Sequence, residues 1–486
     1  GLIEVRDTSG ANRSFLNAGL TNAAGATLLV RGINGISGVA NLSIDGALTN
    51  HGTIELSSTN TVWFGTLTVN SGTLTNTPTG LITSTGPAGT TARTITAAID
   101  NQGTIETTIN PLTINGGAGA STNSGTVRLI GGNLTWNRTG AGSLTNTGTI
   151  DIGAGRTLAF SGGILHQNTD APVGGVAVTF SGMTVNLGSD WNTTAAFTQA
   201  TDTTFHGPGL FYNDAGRHVL LYNSTINAAV QNSGLIEVRD IGGANRSFLN
   251  AGVTNAAGAT LLVRAINGAS GVANLSIDGA LTNHGTIELS STNTVWFGTL
   301  TVNNGTLTNT PTGLITSTGP AGTTARTITA AIDNQGTIET TINPLTINGG
   351  AGGLLNSGTI RLTQGNLTVA TGAVVNQGLL AVAPNRTLTI SSTFTNSATG
   401  TIQVDISGPN PADRGRINIS GTATLDGTFR ANFINGYEPA AGVTFTNLLT
   451  FASSTGTFSL IDATNLPGGR SLIGRYNAGN FSLEVA

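Results

Sequence analysis

The sequence predicts an all-β chain: a right-handed parallel β-helix (β-solenoid) of roughly 22-residue turns with a C-terminal β cap. Three observations predict it. A motif of Asn, one or two small residues, Gly, then Thr-Ile-x-Leu or a variant appears at Asn50, Asn101, Asn123 and Asn146, and again at Asn356, Asn376 and Asn396. Its glycines fall at 1, 25, 52, 80, 103, 125 and 148, then at 336, 358, 378 and 400, so the spacing is 20 to 28 residues, the period of a solenoid turn. Within each motif apolar residues alternate with a period of two, Ile54 and Leu56 against Thr53 and Glu55, which marks strands and excludes helical repeats. Composition is the third observation. With 70 Gly, 5% aromatics and 9% charged residues in 486, large side chains are too few for a globular core. The 38% hydrophobic fraction is still too high for a disordered chain.

Several classes are excluded at once. The formal charge is −4, and all 19 basic residues are Arg with no run among them, which argues against nucleic acid and anionic lipid as partners. No apolar stretch is long enough to span a bilayer as a helix. Cys is 0, so neither disulfides nor thiolate metal sites exist. No cofactor and no metal site are expected.

A duplication organises the chain. GLIEVRD at Gly1 returns at Gly234, an offset of 233, and residues 1–119 differ from 234–352 only at positions 8, 9, 20, 32, 36 and 71. The expected division is 1–160 (first copy), 161–233 (irregular, longer loops), 234–404 (second copy) and 405–486 (C-terminal β-rich cap). Gln231-Asn232-Ser233 completes a turn ahead of the second copy, whereas Gly1 starts in mid-turn with no secretory signal. The expectation is a piece of a longer repetitive protein, or its processed form.

Stacking accounts for each residue type. Ile54, Ile82, Ile105, Val127 and Ile150 are expected to form one internal column. Asn50, Asn101, Asn123 and Asn146 are expected to bond amide to amide between turns. The motif glycines are expected to supply positive φ at tight corners. Glu106, Arg128 and Asp151 share an outward site in consecutive turns, and Glu339 precedes Arg361, so opposite charges would face each other across adjacent strands. About 21 turns stacked ~4.8 Å apart would make a rod about 100 Å long.

The Asn-x-Gly-Thr-Ile-x-Leu turns and the run GTLTVNSGTLTN, Gly65 to Asn76, resemble large bacterial exoproteins: the β-helical passenger regions of autotransporters and filamentous-haemagglutinin-like adhesins. The C-terminal part resembles the end of many such passengers: Asp413-Arg414, INISGTATLDGTF from Ile417, Asn435-Gly436-Tyr437 with Gly442, Thr455-Gly456-Thr457-Phe458, and Tyr476 before a last strand FSLEV. The resemblance implies a secreted or surface-exposed rod, an adhesin stalk or a fibre subunit of the kind found in biofilms. No membrane β-barrel follows Ala486, so the autotransporter route of export is not part of the expectation.

The enzyme reading finds little. Asn168-Thr169-Asp170 and His206-Gly207-Pro208-Gly209 resemble fragments of polygalacturonase motifs, but the paired aspartates and basic motif that complete such a site are missing. Clustered Asp for Ca²⁺ is missing too. His51 and His284 read as turn residues. Thr-x-Thr, the pattern of ice-binding solenoid faces, is not seen to recur at fixed register. Binding is more plausible. Trp63 and its copy Trp296 are expected to point outward, with Val62 and Phe64 inward, as platforms for surface glycans or for another rod. Trp191, Phe205, Phe211, Tyr212, Leu220, Leu221 and Tyr222 lie in the irregular section, either packed on the side of the rod or forming a contact surface. Self-association is expected from the unpaired strand edges at the ends of a β-helix. The functional expectation is a non-enzymatic extracellular or cell-surface solenoid. The alternative is a polysaccharide-binding or polysaccharide-degrading β-helix.

Overall fold

The computed structural model describes residues 1–7, 13–33, 38–192, 194–240, 246–266, 271–466 and 468–486; positions 8, 9 and 36, where the copies differ, lie outside these residues. The chain is nearly all β, with about 1% helix, and forms parallel stacked coils of a β-solenoid. There are about 17 coils of roughly 24 residues, fewer and longer than the 22-residue spacing predicts. Coil length is uneven: Asn22 to Asn50 and Asn255 to Asn283 each span 28 residues, against 20 from Asn376 to Asn396. Contacts divide the chain into two units, Gly1–Ala229 and Val230–Ala486.

In the first unit each coil contributes three strand segments, each pairing in parallel with its equivalent in the next coil. One stack runs Leu2–Arg6, Thr27–Gly32, Thr53–Ser58, Leu81–Ser84, Thr104–Thr107, Thr126–Leu129 and Thr149–Ile152. Its inward column joins Ile54, Ile82, Ile105, Val127 and Ile150 in direct register, each no more than 4% exposed. Burying each such side chain contributes about 1.5–3 kcal/mol, so short strands with no large residues still build a core.

A corner amide ladder runs beside this column. Asn22, Asn50, Asn76, Asn101, Asn123 and Asn146 each sit on the next, Nδ2 donating to Oδ1 at 2.6–2.8 Å. Asn22 and Asn76 complete the series. They lack the motif's full wording, which is why the sequence passes from Asn50 to Asn101 in what are two coils.

Gly25 has the expected positive φ, but most of the motif glycines serve a different purpose. Gly52, Gly80, Gly103, Gly125 and Gly148 do not have positive φ. A Cβ on Gly125 would run into the Gly103 carbonyl of the coil before, and one on Gly148 into that of Gly125. Close approach of successive corners, and not a left-handed backbone, demands glycine here.

Residues 161–229 are not looped out. Ile164–Gln167, Ala177–Ser181, Thr184–Leu187, Phe197–Thr201 and His218–Tyr222 continue the parallel pairing. The interior changes from aliphatic to aromatic: Phe160 stacks on Phe180 at 5.7 Å, Phe180 meets Trp191 and Phe205 edge-on, and Trp191 stacks on Phe211 at 6.4 Å. Leu220 and Leu221 are buried. The section looks irregular in sequence because the ladder position passes to Gln167 and the Asn-Gly motif with it.

The second unit repeats the plan. Its ladder runs from Asn232 through Asn255, Asn283, Asn309, Asn334, Asn356 and Asn376 to Asn396 at 2.6–2.7 Å, and Asn396 ends it by donating to the Asp426 carbonyl. Parallel coils persist well past Val404. Thr401–Ile406 pairs with Thr428–Phe433, and that with Leu460–Thr464. Leu472–Asn477 and Asn480–Val485 pair antiparallel with each other, and the latter also with Thr444–Thr450. Phe429, Phe458, Tyr476 and Phe481 pack together under this hairpin, and Tyr476 Oη accepts a hydrogen bond from the Phe458 N–H at 3.0 Å. Burial raises the Tyr476 hydroxyl above its usual range.

Candidate functional site

Trp63 precedes the strand Phe64–Asn76, in a bend held by Asn60, whose Oδ1 accepts from the N–H groups of Val62 and Trp63 at 3.0 and 2.9 Å. The expected alternation fails there, because the strand begins only at Phe64. Val62 is 61% exposed, while Trp63 is half-buried with its indole over Gly38, where a Cβ would collide with the ring. The second copy repeats this with Asn293, Val295, Trp296 and Gly271. Each corner thus presents an exposed valine beside the edge of a tryptophan.

Trp191 offers no contact surface: it is 0% exposed, sandwiched among Phe180 and Phe211 in the core. Tyr212 and Tyr222 are half-buried, each beside an inward-facing neighbour, Phe211 and Leu221. The structure does not gather these aromatics into one site.

The charged column is in register, Glu106 opposite Arg128 and Arg128 opposite Asp151. One contact closes among the described residues, Arg128 Nε to Asp151 Oδ2 at 3.9 Å, with both side chains more than half exposed. Glu339 faces Arg361 in the same way. Beyond Arg361, a hollow of about 300 Å³ opens over Ala381, with Arg361 on one side and Gln403 and Asp405 on the other. A stronger ion pair escaped the sequence reading. Glu237 is 1% exposed and holds Arg239 Nε at 2.6 Å and Arg264 Nη2 at 2.5 Å; in the first copy Glu4 meets Arg6 and Arg31, and the Arg6 hydrogen bond keeps its carboxyl below the ordinary value. Glu and Arg two apart in LIEVR were the available signal.

The polygalacturonase-like fragments take structural roles. Gln167 Nε2 donates to the Thr169 and Asp170 carbonyls, and the His206 ring lies 3.2 Å from the Asn227 amide. His51 Nδ1 pairs with Thr77 Oγ1 at 3.2 Å in its turn. Among the described residues, no three His, Asp or Glu side chains could hold a metal ion, and no helix is long and apolar enough to cross a membrane.

Thr-x-Thr keeps register for only two successive coils in each unit, as the sequence suggests, but single threonines recur further. Thr66, Thr94, Thr113 and Thr135 form one outward column, and Thr68, Thr96, Asn115 and Asn137 the next. In the second unit the columns are Thr299, Thr327, Thr346, Thr368 and Thr389, with Thr301, Thr329 and Asn348 beside them. Uneven corners hide this, because equivalent threonines are 28, 19 and then 22 residues apart. These threonines and asparagines carry no charge, whereas the face bearing Glu106, Arg128 and Asp151 carries one in each of three successive coils.

No protein-family model matches this chain, and no curated protein matches it.

Proposed function

We propose that the chain is a non-enzymatic structural and adhesive solenoid of the bacterial cell surface or extracellular space, a surface adhesin stalk or a fibre subunit that associates with its own kind. What supports this reading is the filled interior: aliphatic columns, aromatic stacks and the asparagine ladder occupy the coils, so contacts with other molecules are left to the outer faces. The resemblance to autotransporter passengers and haemagglutinin-like adhesins points the same way. Electron microscopy of the native protein tests it. Dispersed rods or filaments with fixed contacts agree with the reading; turnover of a polysaccharide by the pure protein overturns it.

A second reading, attachment to an uncharged hydroxylated surface such as a polysaccharide, is favoured by the neutral Thr and Asn columns, which meet such a partner without stripping water from ions. Co-sedimentation with insoluble polysaccharides and partition into growing ice test it. Capture that survives Thr94→Lys and Thr113→Lys would remove this face from consideration.

A further inference from the structure

Arg138 follows the strand Leu134–Asn137 at an inward position, two residues after Trp136, and is 6% exposed. Its Nε, Nη1 and Nη2 are all buried with no hydrogen-bond acceptor among the described residues, and the buried Trp136 Nε1 also lacks one. The guanidinium carbon lies 5.8 Å from the Trp136 ring centroid. Two neighbouring inward side chains therefore present only hydrogen-bond donors, with the Trp136 ring beside the positive charge but no acceptor and no counter-charge among the described residues.

The other buried arginines are served differently. Arg93 reaches Thr91 O at 2.7 Å, Ser58 Oγ at 2.6 Å and Thr85 O at 3.0 Å; Arg326 repeats these contacts in the second copy; Arg414 reaches Thr446 O at 3.0 Å. Arg138 has no such carbonyls. The coils on either side make room for it with glycine: a Cβ on Gly116 would strike the guanidinium, and one on Gly163 would lie 2.6 Å from Arg138 Cβ. Burial lowers its pKa to about 10, so it stays cationic at neutral pH. At the aligned position, 233 residues on, the second copy carries Thr371, so a solenoid corner of this family of coils does not itself need the cation.

A buried charge is retained only with a partner that neutralises it, and buried donors demand acceptors. We propose that Arg138 and Trp136 form an internal binding site for a small inorganic anion of halide size, enclosed between the Gly116 and Gly163 corners. A halide matches the donor set. It accepts from several N–H groups in any direction, supplies the missing negative charge, and is compact enough for a site with so little exposure. A water molecule would satisfy donors yet leave the charge uncompensated.

Bromide anomalous diffraction on crystals of the whole chain tests this, paired with thermal unfolding in sodium chloride against sodium gluconate at equal ionic strength. The expected result is a bromide peak within hydrogen-bond distance of the Arg138 nitrogens, with a melting temperature that rises with halide concentration as binding to the native state requires. That halide response should vanish in Arg138→Thr and weaken in Trp136→Phe. Water alone on the guanidinium, bromide only at surface arginines, or an undiminished halide response in Arg138→Thr overturns the proposal. If Arg138→Thr does not fold, the diffraction result on the unmodified chain decides.

Discussion

Asn50 Nδ2 donates to Asn76 Oδ1 at 2.8 Å, and both residues are 0% exposed. The second hydrogen of Asn50 goes to backbone, to the Gly52 and Leu81 carbonyls at 3.1 and 3.2 Å, so its amide is spent completely. Asn76→Ala orphans the Asn50 Nδ2 on one side and the Asn101 Oδ1 on the other. Each buried orphan costs about 1–3 kcal/mol. Denaturant unfolding should register a loss of that order for each neighbour, and Asn309→Ala in the second copy should behave alike. A change near zero would mean that the amides contribute no more than packing.

Corner glycine is a matter of space. Gly125→Ala should destabilise by about 1–3 kcal/mol through overpacking. At Gly117 and Gly140 an added Cβ meets nothing within 4 Å but φ is positive, so an L side chain there would be strained through the backbone instead. D-Alanine, which favours positive φ, should therefore be tolerated at Gly140 where L-alanine is not.

Two ion pairs that look alike in sequence should differ sharply. Asp151→Asn removes an exposed contact at 3.9 Å and should change stability by less than about 1 kcal/mol. Glu237→Gln leaves Arg239 and Arg264 facing a neutral group at a site 1% exposed, and should cost about 3–5 kcal/mol. Paired urea melts of the two variants check the contrast.

Arg93 and Arg326 are held at about 10 by burial, well below the ordinary guanidinium range. Between about 10 and that range the unfolded chain therefore binds more protons, and stability rises with pH there. Relative to the double variant Arg93→Met with Arg326→Met, the native chain should gain stability as pH climbs above about 10 and lose that gain as pH falls back through it. Equal slopes for the two proteins in alkaline unfolding would contradict this.

Of the 4 tryptophans, Trp136 and Trp191 are enclosed, while Trp63 and Trp296 are half-buried at their corners. Acrylamide should quench one accessible class and leave a second, blue-shifted class untouched. Trp63→Phe with Trp296→Phe should abolish the accessible class and retain the other.

Much of the architecture was legible because stacking writes itself into sequence. The column Ile54, Ile82, Ile105, Val127 and Ile150 could be read from alternation, since each position has the same neighbours one coil away. Legibility failed where the signal depended on equal coil length. Asn76 and the threonines from Thr66 to Thr135 are aligned in space but unevenly spaced along the chain. It failed again where one residue type has two uses: Trp191 and Trp63 are the same in composition, yet one fills a core and the other edges a corner. Burial of Arg138 had no local signal, because its inward position depends on the strand phase set at Leu134.

Within each ladder, every asparagine but the last gives a hydrogen to the asparagine that follows it in the chain, never to the one before. The amides are thus aligned like a row of arrows, and each row points from its own first coil toward its last. A coil already in place offers its successor an NH₂ group in search of oxygen, and the incoming asparagine brings that oxygen with it. Growth from the N-terminal side, the order in which a ribosome delivers the chain, meets a template that is already oriented. Two such rows brought together like end to like end would set hydrogen against hydrogen or oxygen against oxygen, so the ladder tells head from tail even where neighbouring coils have nearly the same sequence.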